Sequence, residues 1–86
     1  MPLITGSDVL GTTFTPAVGT FLVQATGGEA VLERRQTSGS AWARLQPVLD
    51  ATCSTGAGFN VDNPIAGVEY RFVAMNATTP IVRADQ

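Results

Sequence analysis

Residues 67–75 of the chain, GVEYRFVAM, alternate strictly between two sets of side chains. Val68, Tyr70, Phe72 and Ala74 form one set, and Glu69, Arg71, Val73 and Met75 form the other. Successive side chains of an extended strand point to opposite faces, so the first set would form one apolar face. The alternation predicts a half-buried β-strand. A strand of this kind requires other strands to pair and pack with it.

Upstream, residues 20–26 and 29–36 carry the same kind of alternation on either side of the dipeptide Gly27-Gly28. Two glycines tolerate the positive φ angles of a type I′ turn, so we expect residues 29–36 to return antiparallel to residues 20–26. The side chains that would face inward are Phe21, Val23, Ala25, Ala30 and Leu32.

Further short apolar runs at residues 41–45, 48–53, 59–63 and 80–84 are separated by turn residues. The chain thus contains about six to eight short strands, with turn signals roughly every 8 to 12 residues and no helical pattern. We expect an all-β fold, a small antiparallel β-sandwich or barrel of the immunoglobulin-like kind. A domain of 86 residues buries only roughly 60% of the surface of its unfolded chain, so association would add stability.

Residues 1–18 show neither a helical stripe nor a long alternation. We interpret them as an extended N-terminal arm or edge strand, and residues 19–86 as the β-sandwich domain. The arm carries apolar anchors that could pack on its own domain or on a neighbouring molecule. The candidate partner-contact residues are Leu3, Ile4, Leu10 and Phe14.

The chain contains no His and no Lys, and Cys53 is its one thiol. This composition excludes imidazole catalysis, lysine Schiff bases, an internal disulfide and a Cys/His zinc site. Asn60, Asp62 and Asn63 carry oxygens suited to calcium, but residues of this kind before a proline are routine turn formers. We therefore expect no metal, no cofactor and no enzymatic activity. We interpret Cys53 as a small buried apolar residue, with an intermolecular disulfide as the alternative.

The five basic residues are all Arg, and they are scattered along a chain whose net charge is −2. No basic stripe exists, which disfavours nucleic-acid binding. The N-terminus lacks the charged region and apolar run of a signal peptide, and no stretch is long enough to span a membrane. We expect a soluble protein that is made and used without secretion.

Two aromatic residues carry specific hypotheses. Trp42, the one Trp of the chain, is interpreted as a core or sheet-packing anchor, with stacking on a ligand or partner as the alternative. Tyr70 follows the turn at Gly67, where its hydroxyl would bond back to the preceding connection as in a tyrosine corner. A glycosidase that uses only carboxylates, at Asp50, Asp62 or Glu69, is disfavoured because so small a sandwich leaves little room for a cleft.

Four segments of the chain, taken in order, form a further pattern: residues 19–25 (GTFLVQA), residues 30–34 (AVLER), the Gly/Ser turn at residues 37–40 before Trp42, and residues 67–74 (GVEYRFVA). In this order they resemble small β-sandwich virion proteins of tailed bacteriophages. The resemblance implies a structural role, as a capsid decoration or cement protein or as an accessory tail or fibre module. It implies no catalytic residues.

The expected function is therefore that of a non-enzymatic virion protein, made in the host cytoplasm, which decorates and stabilises a phage capsid. Its expected partners are the major capsid protein or another virion protein, together with further copies of itself in a homo-oligomer. Exposed strand edges and the apolar arm offer routes to such assembly, and deletion of residues 1–16 is expected to weaken particle binding more than folding. A carbohydrate- or receptor-binding module is the alternative outside the virion, and it would need an exposed aromatic side chain.

Overall fold

The computed structural model describes residues 2–36, 39–45, 48–51 and 56–86. These residues form eight β-strands and contain no helix. The strands are β1 (Pro2–Gly6), β2 (Gly19–Thr26), β3 (Gly28–Arg35), β4 (Ala43–Arg44), β5 (Leu49–Ala51), β6 (Ala57–Asn63), β7 (Glu69–Met75) and β8 (Ile81–Asp85). Cys53 and residues 37 and 38 of the predicted turn before Trp42 lie outside the described residues.

The strands form two antiparallel sheets. The first sheet has the order β1-β8-β2-β6. The second sheet is built around β3, which pairs with β7 along its whole length and with the short strands β4 and β5 along its other side. The predicted all-β fold is confirmed, and of the two expected forms it is a small sandwich.

The core lies between the two sheets and is filled by the inward set of each alternation. Phe21, Val23 and Ala25 of β2 face Ala30 and Leu32 of β3 across it, all at most 1% exposed. The β7 prediction is also confirmed, because its apolar set includes Val68, Tyr70 and Phe72, which are all buried in the same cluster. Burial of these side chains is the main stabilising term in a fold of this size.

Four aromatic rings form the centre of this core. The Phe14 ring stacks on Tyr70 and Phe72, with centroid distances of 6.0 and 5.7 Å, and meets the edge of Phe21 at 6.1 Å. Phe21 and Tyr70 make an edge-to-face contact at 4.9 Å. Such pairs add about 0.5–1.5 kcal/mol each beyond the area that they bury.

The predicted hairpin between residues 20–26 and 29–36 is wrong. β2 pairs with β6 and β8, whereas β3 pairs with strands of the other sheet. Gly27, with φ of 78°, is the single residue between the strands, and it carries the chain from one sheet to the other. Alternation shows that each strand has one buried face, but a sandwich offers two sheets, and the period alone does not identify the pairing partner.

Candidate interaction surfaces

The four candidate contact residues of the N-terminal segment pack on their own domain. Leu3 and Ile4 of β1 and Leu10 of the following turn are half-buried against the core. Phe14 belongs to the core itself and is only 7% exposed. A contact between these residues and a partner stays a prediction. Leu3, Ile4 and Leu10 expose more surface for such a contact than Phe14 does.

Residues 11–14 also cover the free edge of β7. The Gly11 N–H donates to the Phe72 carbonyl at 2.8 Å. The Phe14 N–H donates to the Tyr70 carbonyl at 2.8 Å, and the Tyr70 N–H donates back to the Phe14 carbonyl at 2.9 Å. These bonds satisfy backbone groups that an edge strand would otherwise expose. The segment is thus an integral part of the second sheet's edge.

The Tyr70 hydroxyl donates to the side-chain oxygen Oδ1 of Asn63, 3.1 Å away. The bond runs upstream, as in the expected tyrosine corner, but its acceptor is a side chain at the end of β6. The Asn63 amide Nδ2 in turn donates to the carbonyls of Pro16 and Ala17, at 3.0 and 3.1 Å. Asn63 is only 1% exposed, so these bonds replace the water that its amide loses on burial.

The oxygens considered for calcium do not converge. Asn60 and Asp62 are exposed on the outer face of β6, whereas Asn63 points into the core. Among the described residues, no group of three or more acidic, Cys or His side chains is placed to hold a metal ion. The three carboxylates considered for a glycosidase are also spread out, since Asp62 lies on the first sheet while Asp50 and Glu69 belong to strands of the second.

Trp42 lies on the outer face of the second sheet and not in the core. The guanidinium carbons of Arg35 and Arg71 are 4.4 and 4.2 Å from the centre of its ring. Each arginine also binds the carboxylate opposite it on the neighbouring strand, Arg35 to Glu69 and Arg71 to Glu33, both at 2.7 Å. The half-buried Trp42 thus covers two cross-strand ion pairs, and cation–π attraction holds it there.

This arrangement agrees with the sheet-packing interpretation of Trp42. A ring engaged by two guanidinium groups offers less free surface for stacking on a sugar than a bare ring would. The sequence could have suggested the cluster, because Glu33, Arg35, Glu69 and Arg71 all fall on the polar sets of β3 and β7. It did not fix which charges would oppose each other, since that depends on the register of the two strands.

The outer face of the first sheet is different in character. One row of side chains crosses its four strands, formed by Thr5, Arg83, Gln24 and Gly58. Small side chains and glycines leave a shallow depression of about 440 Å³ over this row, bordered also by Ile81. Gly58 is required here, because a Cβ atom would lie 2.8 Å from the Val23 carbonyl and 3.2 Å from Cγ of Gln24.

The charged side chains of this face form one ion pair and one hydrogen bond to a neutral hydroxyl. Arg83 Nε lies 2.6 Å from Asp85 Oδ2, and this hydrogen bond lowers the pKa of the Asp85 carboxyl below its usual value. Asp62 accepts a hydrogen bond from the Thr20 hydroxyl at 2.8 Å. Two exposed apolar side chains lie on the same face: Leu22, 37% exposed, opposes Asp85, and Ile81, 55% exposed, lies beyond Arg83 opposite Thr26.

Two other exposed apolar side chains, Val18 and Ile65, lie near the start of β2 and the end of β6. They are 58% and 62% exposed. Gly19 opposes Asn63 in the sheet. Val18 precedes Gly19 and Ile65 lies two residues after Asn63, so Val18 and Ile65 belong to the same end of the sandwich. Ile81 opposes Thr26 at the other end of β2, so the two apolar regions are separated by the length of that strand.

No helix of the described residues is long and apolar enough to cross a membrane. Comparison of the chain with protein-family models, curated proteins and solved structures finds no significant match. The resemblance to small virion proteins therefore rests only on the four sequence segments at residues 19–25, 30–34, 37–40 and 67–74.

Proposed function

We propose that the protein is a non-enzymatic structural component of a bacteriophage virion, which decorates and stabilises the capsid through protein–protein contacts. The order of the strand segments supports this role, together with the small all-β sandwich that they form. The outer face of the first sheet would contact the capsid.

The observation that carries the proposal is that this face exposes Leu22 and Ile81 while its charged side chains are engaged, Arg83 with Asp85 and Asp62 with the Thr20 hydroxyl. A surface loses affinity when burial leaves polar groups without partners. Here Arg83 is bound to Asp85 and Asp62 to Thr20, so a partner that covers the face meets no charged side chain that lacks a hydrogen bond among these three. The outer face of the second sheet carries two ion pairs, Arg35–Glu69 and Arg71–Glu33, and is less suitable for an apolar contact because it holds more charge.

Sedimentation with undecorated capsids of the cognate phage tests the proposal. The purified protein should co-sediment at a saturable, near-stoichiometric ratio. Ile81→Glu introduces a charge into the proposed contact and should weaken binding about tenfold or more. Ile65→Glu is the matched control, because it makes the same change at a similarly exposed position at the other end of the sandwich. It should bind as the wild type does.

Equal binding by Ile81→Glu and the wild type would exclude this face as the contact. Absence of any capsid binding would contradict the decoration role itself. If the protein then formed a stable oligomer alone, the tail or fibre module would become the better hypothesis.

A further inference from the structure

Strand β6 is the last strand of the first sheet, and one of its edges pairs with no other strand of the described residues. It pairs with β2 through all seven of its residues, from Ala57 to Asn63. Within the described part of the chain, no strand pairs with its other side. Alternate residues of an antiparallel strand direct their N–H and C=O groups away from a given neighbour. The outer edge of β6 therefore presents a row of backbone donors and acceptors.

The other edges of the sandwich are protected or short. Residues 11–14 bond to β7. Strand β1 begins with Pro2 and has an irregular register between Pro2 and Ile4, and β4 and β5 have only two and three residues. Proline, bulges and short length are the usual means of preventing edge pairing. β6 has a regular register and no proline, and its one charged residue is bound to Thr20.

We propose that β6 pairs antiparallel with β6 of a second copy of the chain, around a two-fold axis at Asn60. In this register Asn60 opposes Asn60 of the second copy, Phe59 opposes Val61, and Gly58 opposes Asp62. The two first sheets become one continuous sheet of eight strands. An interface of this kind is isologous, so each contact occurs twice and the assembly closes as a dimer.

The sequence of β6 is complementary to itself in this register. Phe59 is half-buried at the sheet edge, and pairing with Val61 would cover it with a β-branched side chain. No like charges oppose each other, because Asp62 faces a glycine. The exposed Asn60 amides carry both donors and acceptors and can bond to each other across the axis. A register centred on Val61 would instead place Phe59 opposite Asn63, whose amide is already bound to Pro16 and Ala17.

Sedimentation equilibrium of the full chain tests the dimer and its register. The wild type should show a species of twice the 9.0 kDa mass of one chain. Asn60→Lys and Asn60→Asp each place two like charges against each other at the axis, and each should weaken self-association about tenfold or more. An equimolar mixture of the two variants should recover a dimer, because lysine then opposes aspartate.

Gln24→Lys is the matched control. It adds the same charge on the same face but on β2, one strand away from the edge, and it should leave the dimer intact. A wild type that stays monomeric up to millimolar concentration would overturn the proposal. A dimer that Asn60→Lys and Asn60→Asp leave unchanged, or that their mixture does not restore, would overturn it as well. Capsid binding by Ile81→Glu is a separate measurement, so the two proposals can fail independently.

Discussion

The Tyr70 hydroxyl and the Asn63 amide connect three parts of the chain at the scale of single residues. Tyr70 belongs to β7, Asn63 to β6, and the carbonyls of Pro16 and Ala17 to the segment before β2. The network is buried, and no buried polar side-chain atom of the described residues lacks a hydrogen-bond partner. Removing one member therefore leaves another unsatisfied, which costs more than the bond itself contributes.

Tyr70→Phe is accordingly expected to lower the free energy of unfolding by about 1 kcal/mol, measured from the denaturation midpoint. In an Asn63→Ala background the same change should cost much less, because the hydroxyl has already lost its acceptor. An unchanged midpoint for Tyr70→Phe alone would show that this bond contributes nothing.

Arg71 allows a test of the cluster around Trp42. Arg71→Gln removes both a cation–π contact and the ion pair to Glu33, and it should destabilise the protein by about 1 kcal/mol. It should also change the emission of Trp42, the one Trp of the chain. Arg44→Gln is the control, because Arg44 is exposed and, although it lies opposite Glu33 in the sheet, it forms no ion pair or ring contact among the described residues. Equal effects of the two substitutions would contradict a role for the cluster.

At the scale of elements, the connection between β2 and β3 has a steric requirement beyond that of a tight turn. A Cβ atom on the buried Gly28 would lie 2.8 Å from Cβ and Oγ1 of Thr78 and 3.2 Å from Cδ of Pro80. Thr78 is not free to move, because its hydroxyl donates to the Met75 carbonyl at 2.7 Å and accepts from the Glu29 N–H at 2.9 Å. Gly28 therefore allows β3 to approach the connection between β7 and β8.

Gly28→Ala is expected to destabilise the protein by about 1–3 kcal/mol through overpacking. Gly27→Ala, at the neighbouring position, places a side chain into open space at a φ of 78° and should cost about 1 kcal/mol. Chemical denaturation of both variants measures the difference. A larger loss for Gly27→Ala would show that backbone conformation, and not contact with Thr78, dominates at this corner.

The sequence predicted elements better than it predicted their pairing. The alternation of residues 67–75 gave a strand and its buried face, because burial of Tyr70 and Phe72 follows directly from a period of two. It could not show that β2 and β3 join different sheets, since both strands bury one face in either arrangement. The sequence also did not predict that Trp42 lies between Arg35 and Arg71. These two arginines come together only in one register of β3 and β7, and the alternation of residues does not determine that register.

At the scale of the whole molecule, the N-terminal segment proves to be part of the sandwich. Phe14 completes the aromatic core, and β1 pairs with β8. Deletion of residues 1–16 therefore removes core material. The expectation that it weakens particle binding more than folding stays a prediction, and folding of the variant has to be measured alongside binding. Substitutions on exposed positions, such as Ile81, are the better test.

Two deletions should differ sharply in their effect on folding. Without residues 2–6 the protein loses an edge strand, and it should keep a cooperative unfolding transition with a lower midpoint. Without residues 2–16 it also loses Phe14. Loss of a core Phe side chain lowers the free energy of unfolding by about 3–5 kcal/mol, as in a Phe→Ala substitution. The free energy of unfolding of a whole domain is only about 5–15 kcal/mol. We expect this variant to be unfolded by near-ultraviolet circular dichroism. A folded second variant would contradict the assigned role of Phe14.

The position of β8 has a consequence for the order in which the chain acquires its structure. β8 lies between β1 and β2, which are both synthesised before it, so β1 and β2 lack the strand that joins them until residues 81–85 have left the ribosome. Contacts between such distant parts of a chain form slowly, because a long loop must close first. During translation, the edge of β2 that pairs with β8 would remain accessible to chaperones until residues 81–85 have emerged.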